Sequence, residues 1–168
     1  MLKDGVHGAP YEAYMRTNLN PREWIDQFIK ICHIAEIDIS NKDIEIEERY
    51  APHRPPSCIP NGKMAVYVFI FQNECLKVGK AGPNSHARYV SQHYNPKSSN
   101  SNLAKSVLKI WSDVYALNES NIGSWIKTNT HRYNFILDEG TGIRILTFLE
   151  TFLQCKLKPR FEGFESQK

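Results

Sequence analysis

The chain predicts a small mixed α/β domain of the α+β kind: a three-stranded, largely antiparallel sheet flanked by helices, with an N-terminal helical extension. Three observations predict it. Residues 64–71 form an unbroken apolar, β-branched and aromatic run, as expected of a strand buried on both faces. Residues 74–79 repeat a strand pattern after only Gln72 and Asn73, which makes the pair a β-hairpin. Ile143, Leu146, Leu153 and Leu157 then recur on one face of a helical pattern over residues 142–156.

Size and composition agree with one such domain. The chain has 168 residues, 41% of them hydrophobic and 23% charged, a balance that excludes an intrinsically disordered or low-complexity polymer. Lys and Arg number 21 against 18 Asp and Glu, a net charge of +3, so nucleic acid is permitted as a partner but not demanded. No apolar run reaches the roughly 18 to 20 residues that cross a bilayer, and the first ten residues lack the apolar core of a signal peptide. A cytoplasmic protein without membrane contact is expected. Cys32, Cys58, Cys75 and Cys155 are dispersed and form no Cys-x-x-Cys pair, so they read as reduced thiols, mostly packing. The six histidines show no zinc-ligand spacing.

Along the chain, Asn20 and Pro21 are a helix cap and first helical position, with Glu23 placed to return a bond to the cap. Trp24, Ile25, Phe28, Ile29 and Cys32 follow at helical spacing, and the helix fades near Ala35. Ile44 and Ile46 alternate with acids as in a half-exposed strand. Residues 51–62 hold four prolines, which excludes helix and central strand and marks a connection. The division is therefore residues 1–62, an extension with a Pro-rich linker, and residues 63–168, the main domain.

Beyond the hairpin, residues 85–94 suit a short helix packing Ala87, Val90 and Tyr94, with Arg88 and Gln92 on an adjacent stripe. A polar loop and cap over residues 95–102 lead to a helix packing Leu103, Val107, Ile110, Trp111 and Val114, with Lys105 and Lys109 on its wet side. Residues 130–137 read as the third core strand. The stretches containing Lys97 to Lys105, Trp125 to Lys127, and His131 with Arg132 are either solvated surface or contacts to a nucleic-acid backbone.

Two geometric questions stay open in the sequence. Glu150 sits in the apolar stripe of the last helix, so it is either a buried carboxylate in need of a cation, metal or donor cluster, or a residue at the solvent margin of a slightly rotated stripe. Tyr67 and Lys77 share a face of the hairpin if its loop has an odd number of residues, and lie on opposite faces if the number is even.

Taken in order, these pieces resemble the GIY-YIG nuclease superfamily. Ala65-Val66-Tyr67 stands where that family has Gly-Ile-Tyr, and Lys77-Val78-Gly79 where it has Tyr-Ile-Gly. Arg88 resembles the arginine on the helix after the hairpin, Glu150 the metal-binding glutamate, and residues 158–162 the closing Pro-x-Phe-Asn segment. The resemblance covers about residues 64–163 and departs at Ala65, Lys77 and Glu162; some restriction endonucleases of the family are similar in carrying Lys at the position of Lys77.

The resemblance implies a metal-dependent endonuclease hydrolysing phosphodiester bonds, with double-stranded DNA as the partner and Mg²⁺ or Mn²⁺ as the cofactor. It implies Glu150 as the metal ligand, Arg88 as the phosphate clamp and Tyr67 as the activator of water. A phenol with a pKa near 10 is a poor base unaided, so Lys77 is expected to favour the phenolate, Lys80 to share that work, and His93 to accept or relay a proton. Alternatives are a catalytically reduced nucleic-acid-binding or protein-interaction domain, motivated by Lys77 and Glu162, and a nuclease for RNA or structured DNA. A homodimer suits symmetric cutting of a duplex.

Overall fold

The computed structural model describes residues 19–99 and 102–161, so Glu162 and the first eighteen residues lie outside it. Helix α1 (Pro21–Ile34) begins where the cap requires: Asn20 Oδ1 accepts the Glu23 N–H at 3.2 Å. The Glu23 carboxylate accepts from Gln27 Nε2 at 3.0 Å, one turn on, in place of the expected return bond. Trp24, Ile25, Phe28, Ile29 and Cys32 form its buried stripe.

Four strands follow rather than three: β1 (Ile44–Arg49), β2 (Lys63–Phe71), β3 (Glu74–Ala81) and β4 (His131–Asp138), in the spatial order β1-β4-β2-β3 with every neighbouring pair antiparallel. The extra strand comes from the segment read as an extension. Its alternating Ile-Glu pattern suits an edge strand, and it pairs with β4 from Ile44 opposite Leu137 to Arg49 opposite Arg132. The Pro-rich residues 51–62 then carry the chain to β2 without helix or strand, as four missing N–H donors dictate.

Helices α2 (His86–Val90), α3 (Leu103–Trp111), α4 (Ile122–Asn129) and α5 (Ile143–Leu157) complete the fold. Along each strand successive side chains point to opposite faces, which yields two cores. On one, α1 and α5 bring Trp24, Phe28, Leu146, Leu149 and Leu153 onto Val66, Val68 and Phe135. On the other, α2, α3 and α4 bring Tyr89, Leu103, Val107, Ile122 and Ile126 onto Tyr67 and Phe69.

Several local expectations change. The single helix over residues 85–94 is two pieces, α2 and a 3₁₀ turn at Gln92–Tyr94; α2 buries Tyr89 and the tighter turn buries His93, while Ala87 is exposed. Helix α3 stops at Trp111, leaving Ile110 and Val114 at 51% and 68% exposure. Helix α4 has no counterpart in the sequence reading, since its eight residues carry only Ile122 and Ile126 as buried anchors. All four cysteines are free thiols; Cys32 and Cys75 pack, whereas Cys58 and Cys155 are exposed. No described helix is long and apolar enough to cross a membrane.

Candidate active site

The hairpin decides which side chains can meet. Its turn is Gln72 and Asn73, both left-handed (φ 48° and 67°), the two-residue form that matches strand twist. Phe71 pairs with Glu74 and Ile70 with Cys75, so an uninterrupted ladder would set Lys77 opposite Val68, on the face away from Tyr67. A β-bulge intervenes. The register shifts between Phe69 and Ile70, Leu76 is left over, and Lys77 falls opposite Phe69, on the face that Tyr67 occupies. An even loop and a one-residue bulge together give the result expected of an odd loop.

Tyr67 pairs with Gly79, and its ring lies across that residue. A Cβ at position 79 would stand 2.6 Å from the Tyr67 hydroxyl oxygen and 2.7 Å from Cζ, too close for any side chain. The glycine therefore lets the phenol reach over the outer edge of β3.

The hydroxyl oxygen is held by His93. His93 Nε2 is 2.7 Å away, and His93 Nδ1 accepts the backbone N–H of Leu103 at 3.3 Å, so the neutral ring carries its proton on Nε2 and donates it to Tyr67. Burial, with Lys77, Arg132 and Arg88 nearby, holds His93 well below the ordinary histidine range. His93 is thus a fixed donor: one nitrogen already bears a proton and the other is occupied. This changes the role expected for it, since neither nitrogen is open to accept or relay a proton from the phenol.

Arg88, exposed on α2, lies on the same side, where its positive charge favours the phenolate. With His93 donating to it, the Tyr67 oxygen keeps its own proton for a partner in the cleft. Burial pushes the phenol above its ordinary value; Arg88 and Arg132 oppose the rise and Glu150 adds to it.

Glu150 approaches from the other face. It lies on α5 with its side chain 16% exposed, at the margin of the apolar stripe, and Oε2 accepts from Lys80 Nζ at 2.6 Å. Lys80 pairs with Val66, whose side chain belongs to the α5 face, so lysine and glutamate meet on that side of β3. The candidate residues therefore come from both faces of the sheet: Tyr67 and His93 meet on one side of β3, and Lys80 and Glu150 on the other. Lys77, 6% exposed, donates to the Phe161 carbonyl at 3.4 Å. That carbonyl is in place because Lys158, left-handed at φ 47°, ends α5 and turns the chain so that Arg160 and Phe161 donate to Cys75 and Leu76 of β3, each at 2.9 Å.

As a divalent-metal site this donor set is sparse. Among the described residues no group of three or more His, Cys, Asp or Glu side chains comes together. Glu150 offers one hard carboxylate with one oxygen engaged by Lys80, which fits an ion such as Mg²⁺ that keeps most of its waters and relies on substrate phosphate for further ligands.

One part of the site escaped the sequence reading. Arg132, grouped there with surface residues, is fully buried. Its Nε donates to Asn134 Oδ1 at 2.8 Å, Nη1 to the Tyr94 hydroxyl at 3.1 Å and Nη2 to the Tyr89 carbonyl at 2.7 Å. Asn134 in turn donates to Glu47 Oε2 at 2.6 Å, and Tyr94 donates to His53 Nε2 at 2.8 Å while His53 Nδ1–H binds the Thr130 carbonyl at 2.7 Å. The available signal was the spacing of Arg132 and Asn134, two residues apart in an otherwise apolar and aromatic strand.

No family model, curated protein or solved structure matches the chain.

Proposed function

We propose that the chain is a metal-dependent endonuclease that hydrolyses phosphodiester bonds in DNA. The observation that carries this reading is the meeting of Tyr67, Arg88 and His93 on one side of the β3 edge with Lys80 and Glu150 on the other. Lys77, Lys80 and Arg88 set three cations against the one carboxylate of Glu150, a surplus that suits a phosphodiester.

In this reading Arg88 engages phosphate oxygens with its planar fork while remaining beside the phenol. Lys77 and Lys80 add positive charge on either side of the Gly79 gap, and Glu150, now paired with Lys80, would be the carboxylate to hold a metal. The chemistry that a bound Mg²⁺ supplies is neutralisation of charge on the phosphate and the leaving oxygen. Tyr67 activates water only as the phenolate. His93 Nε2–H and Arg88 favour that form and burial opposes it, so cleavage should rise with pH well beyond neutrality.

The Lys80 to Glu150 ion pair also favours a second reading, a nucleic-acid-binding domain that does not cut, because an ammonium already satisfies the carboxylate. One experiment separates the two. Purified protein, Glu150→Ala and Arg88→Ala are incubated with plasmid, linear duplex, single-stranded DNA and RNA, with Mg²⁺, Mn²⁺ or EDTA. Metal-dependent cutting that drops about 100-fold or more in both variants is expected, the size of effect of losing a group that acts in the transition state. Equal behaviour of the three proteins sinks the nuclease reading, retardation without cutting selects the second, and cutting confined to RNA changes the substrate.

A further inference from the structure

We propose that Arg132 is a positioning residue of this site: its buried guanidinium orders the Tyr67 phenol and the end of α2, and supplies the fixed positive charge that the phenol faces. The inference rests on the nuclease reading for its catalytic meaning, but its geometry stands independently.

A fully buried arginine demands an explanation. The described residues place no carboxylate in an ion pair with it; Glu47 is one hydrogen bond removed, through Asn134, and is itself paired with Arg49. Glu47, Arg49 and Arg132 together carry one uncompensated positive charge, and burying an uncompensated charge costs several kcal/mol even after relaxation. An apolar side chain of similar volume would fill the space more cheaply, so stability alone does not account for an arginine here.

Its contacts indicate what the charge serves. The guanidinium carbon stands 4.9 Å from the Tyr89 ring centroid, 5.2 Å from Phe69 and 5.4 Å from Tyr67, within cation–π range of all three. The bond to the Tyr89 carbonyl pins the residue next to Arg88, and thus the helix end that carries Arg88. The same cation opposes the effect of burial on Tyr67 and helps to keep His93 neutral, as a donor to the phenolic oxygen must be.

The charged and titratable groups around this centre come from every packed element. They are Glu45, Glu47 and Arg49 of β1, His53 of the connection, Lys77 of β3, Arg88 and Tyr89 of α2, His93 and Tyr94 of the following turn, His131 of β4, and Glu150 of α5. A test must remove or offset the charge of Arg132 while keeping the volume of the side chains packed around it.

Two variants do so. Arg132→Met keeps the volume and removes the charge. The double exchange Glu47→Gln with Asn134→Asp moves the carboxylate one hydrogen bond closer, onto Arg132 Nε, and retains every side chain that packs. Each full-length protein is labelled with 3-fluorotyrosine, the Tyr67 resonance is assigned by its loss in Tyr67→Phe, and its ionisation is followed by ¹⁹F NMR against pH, with near-UV circular dichroism reporting the fold. Whichever variants are folded, Tyr67 should ionise at higher pH than in the parent by about one unit, the effect of removing one near charge from a buried site. Arg132→Lys should recover part of that shift.

A parent resonance that ionises no earlier than those of the folded variants overturns the proposal and reduces Arg132 to packing. Cleavage assays on the same samples report separately on the nuclease reading. If nothing cuts while the titrations differ, the nuclease reading fails and the positioning role of Arg132 stands.

Discussion

The two faces of the sheet are built from alternate residues of the same strands, yet they bury different chemistry. On the face covered by α1 and α5, the enclosed side chains are apolar or aromatic, with Cys32 and Cys75 among them. On the face covered by α2, α3 and α4, Lys77, His93, Arg132 and Asn134 are buried among Tyr67, Phe69 and Leu103, and His53 and Thr130 close the network at one end. The first arrangement stabilises by transferring apolar area from water. The second gives up part of that stabilisation to hold polar groups in fixed directions, which is what the role proposed for the Tyr67 phenol requires.

If this division of labour is right, a large defect on the apolar face should weaken the fold without altering chemistry. Phe28 packs against Phe148 and Phe152 at centroid distances of 5.2 and 5.6 Å and is fully enclosed. Phe28→Ala should lower unfolding free energy by about 3 to 5 kcal/mol, the range for deleting a buried ring. Urea denaturation measures this, and cleavage per folded molecule at low temperature should match the parent.

The polar face should instead reveal itself through acid. Burial, aided by Arg132, Arg49 and His131 and opposed by the Thr130 carbonyl, lowers His53 from its ordinary 6.5 to about 4 in the folded protein. A depressed histidine binds its proton more readily when unfolded, so its contribution is fully present above about pH 6.5 and is lost as pH falls towards 4. The loss is up to about 3 kcal/mol. His53→Gln, which does not titrate, should show a shallower fall in stability across that window; parallel pH profiles would remove His53 as the cause.

The smallest change tests the junction between the faces. Gly79→Ala adds one methyl group where the Tyr67 hydroxyl now lies. Cleavage should drop about 100-fold through displacement of the phenol, while the shift in melting temperature stays below that of Phe28→Ala. Unchanged cleavage would mean that the phenol is not the reacting group.

How far the residues disclosed this in advance differs by face. The stripe of α1 and the hairpin strands were legible because apolar periodicity and burial coincide there; on α5 Leu146 and Leu153 are buried as expected, but Ile143 is 53% exposed, Leu157 only half-buried, and Leu149 packs instead. Glu150 was legible as an anomaly, and its ion pair with Lys80 settles it as a partly buried residue at the stripe's margin. On the other face, alternation separates Arg132 and Asn134 from Tyr133, Phe135 and Leu137 correctly, but polar residues sharing a face look solvated unless the helices that cover them are known. Helix α4, one of those covers, has too few apolar anchors to announce itself. For Ile110 and Val114 periodicity misled in the opposite sense, because the helix ends before the second can pack.

The bulge at Leu76 has a consequence for how such chains vary in length. With the present two-residue turn, a regular ladder that kept Leu76 would set Lys77 opposite Val68 and turn it to the α5 side, so the bulge is what holds the tyrosine of the first strand and the lysine of the second on one face. Deleting Leu76 would remove the bulge itself and leave Lys77 opposite Phe69 on a regular ladder, and moving the extra residue into a three-residue turn would give the same pair. Hairpins of either length therefore preserve the cleft, even though a gapless alignment of their second strands would misplace the lysine.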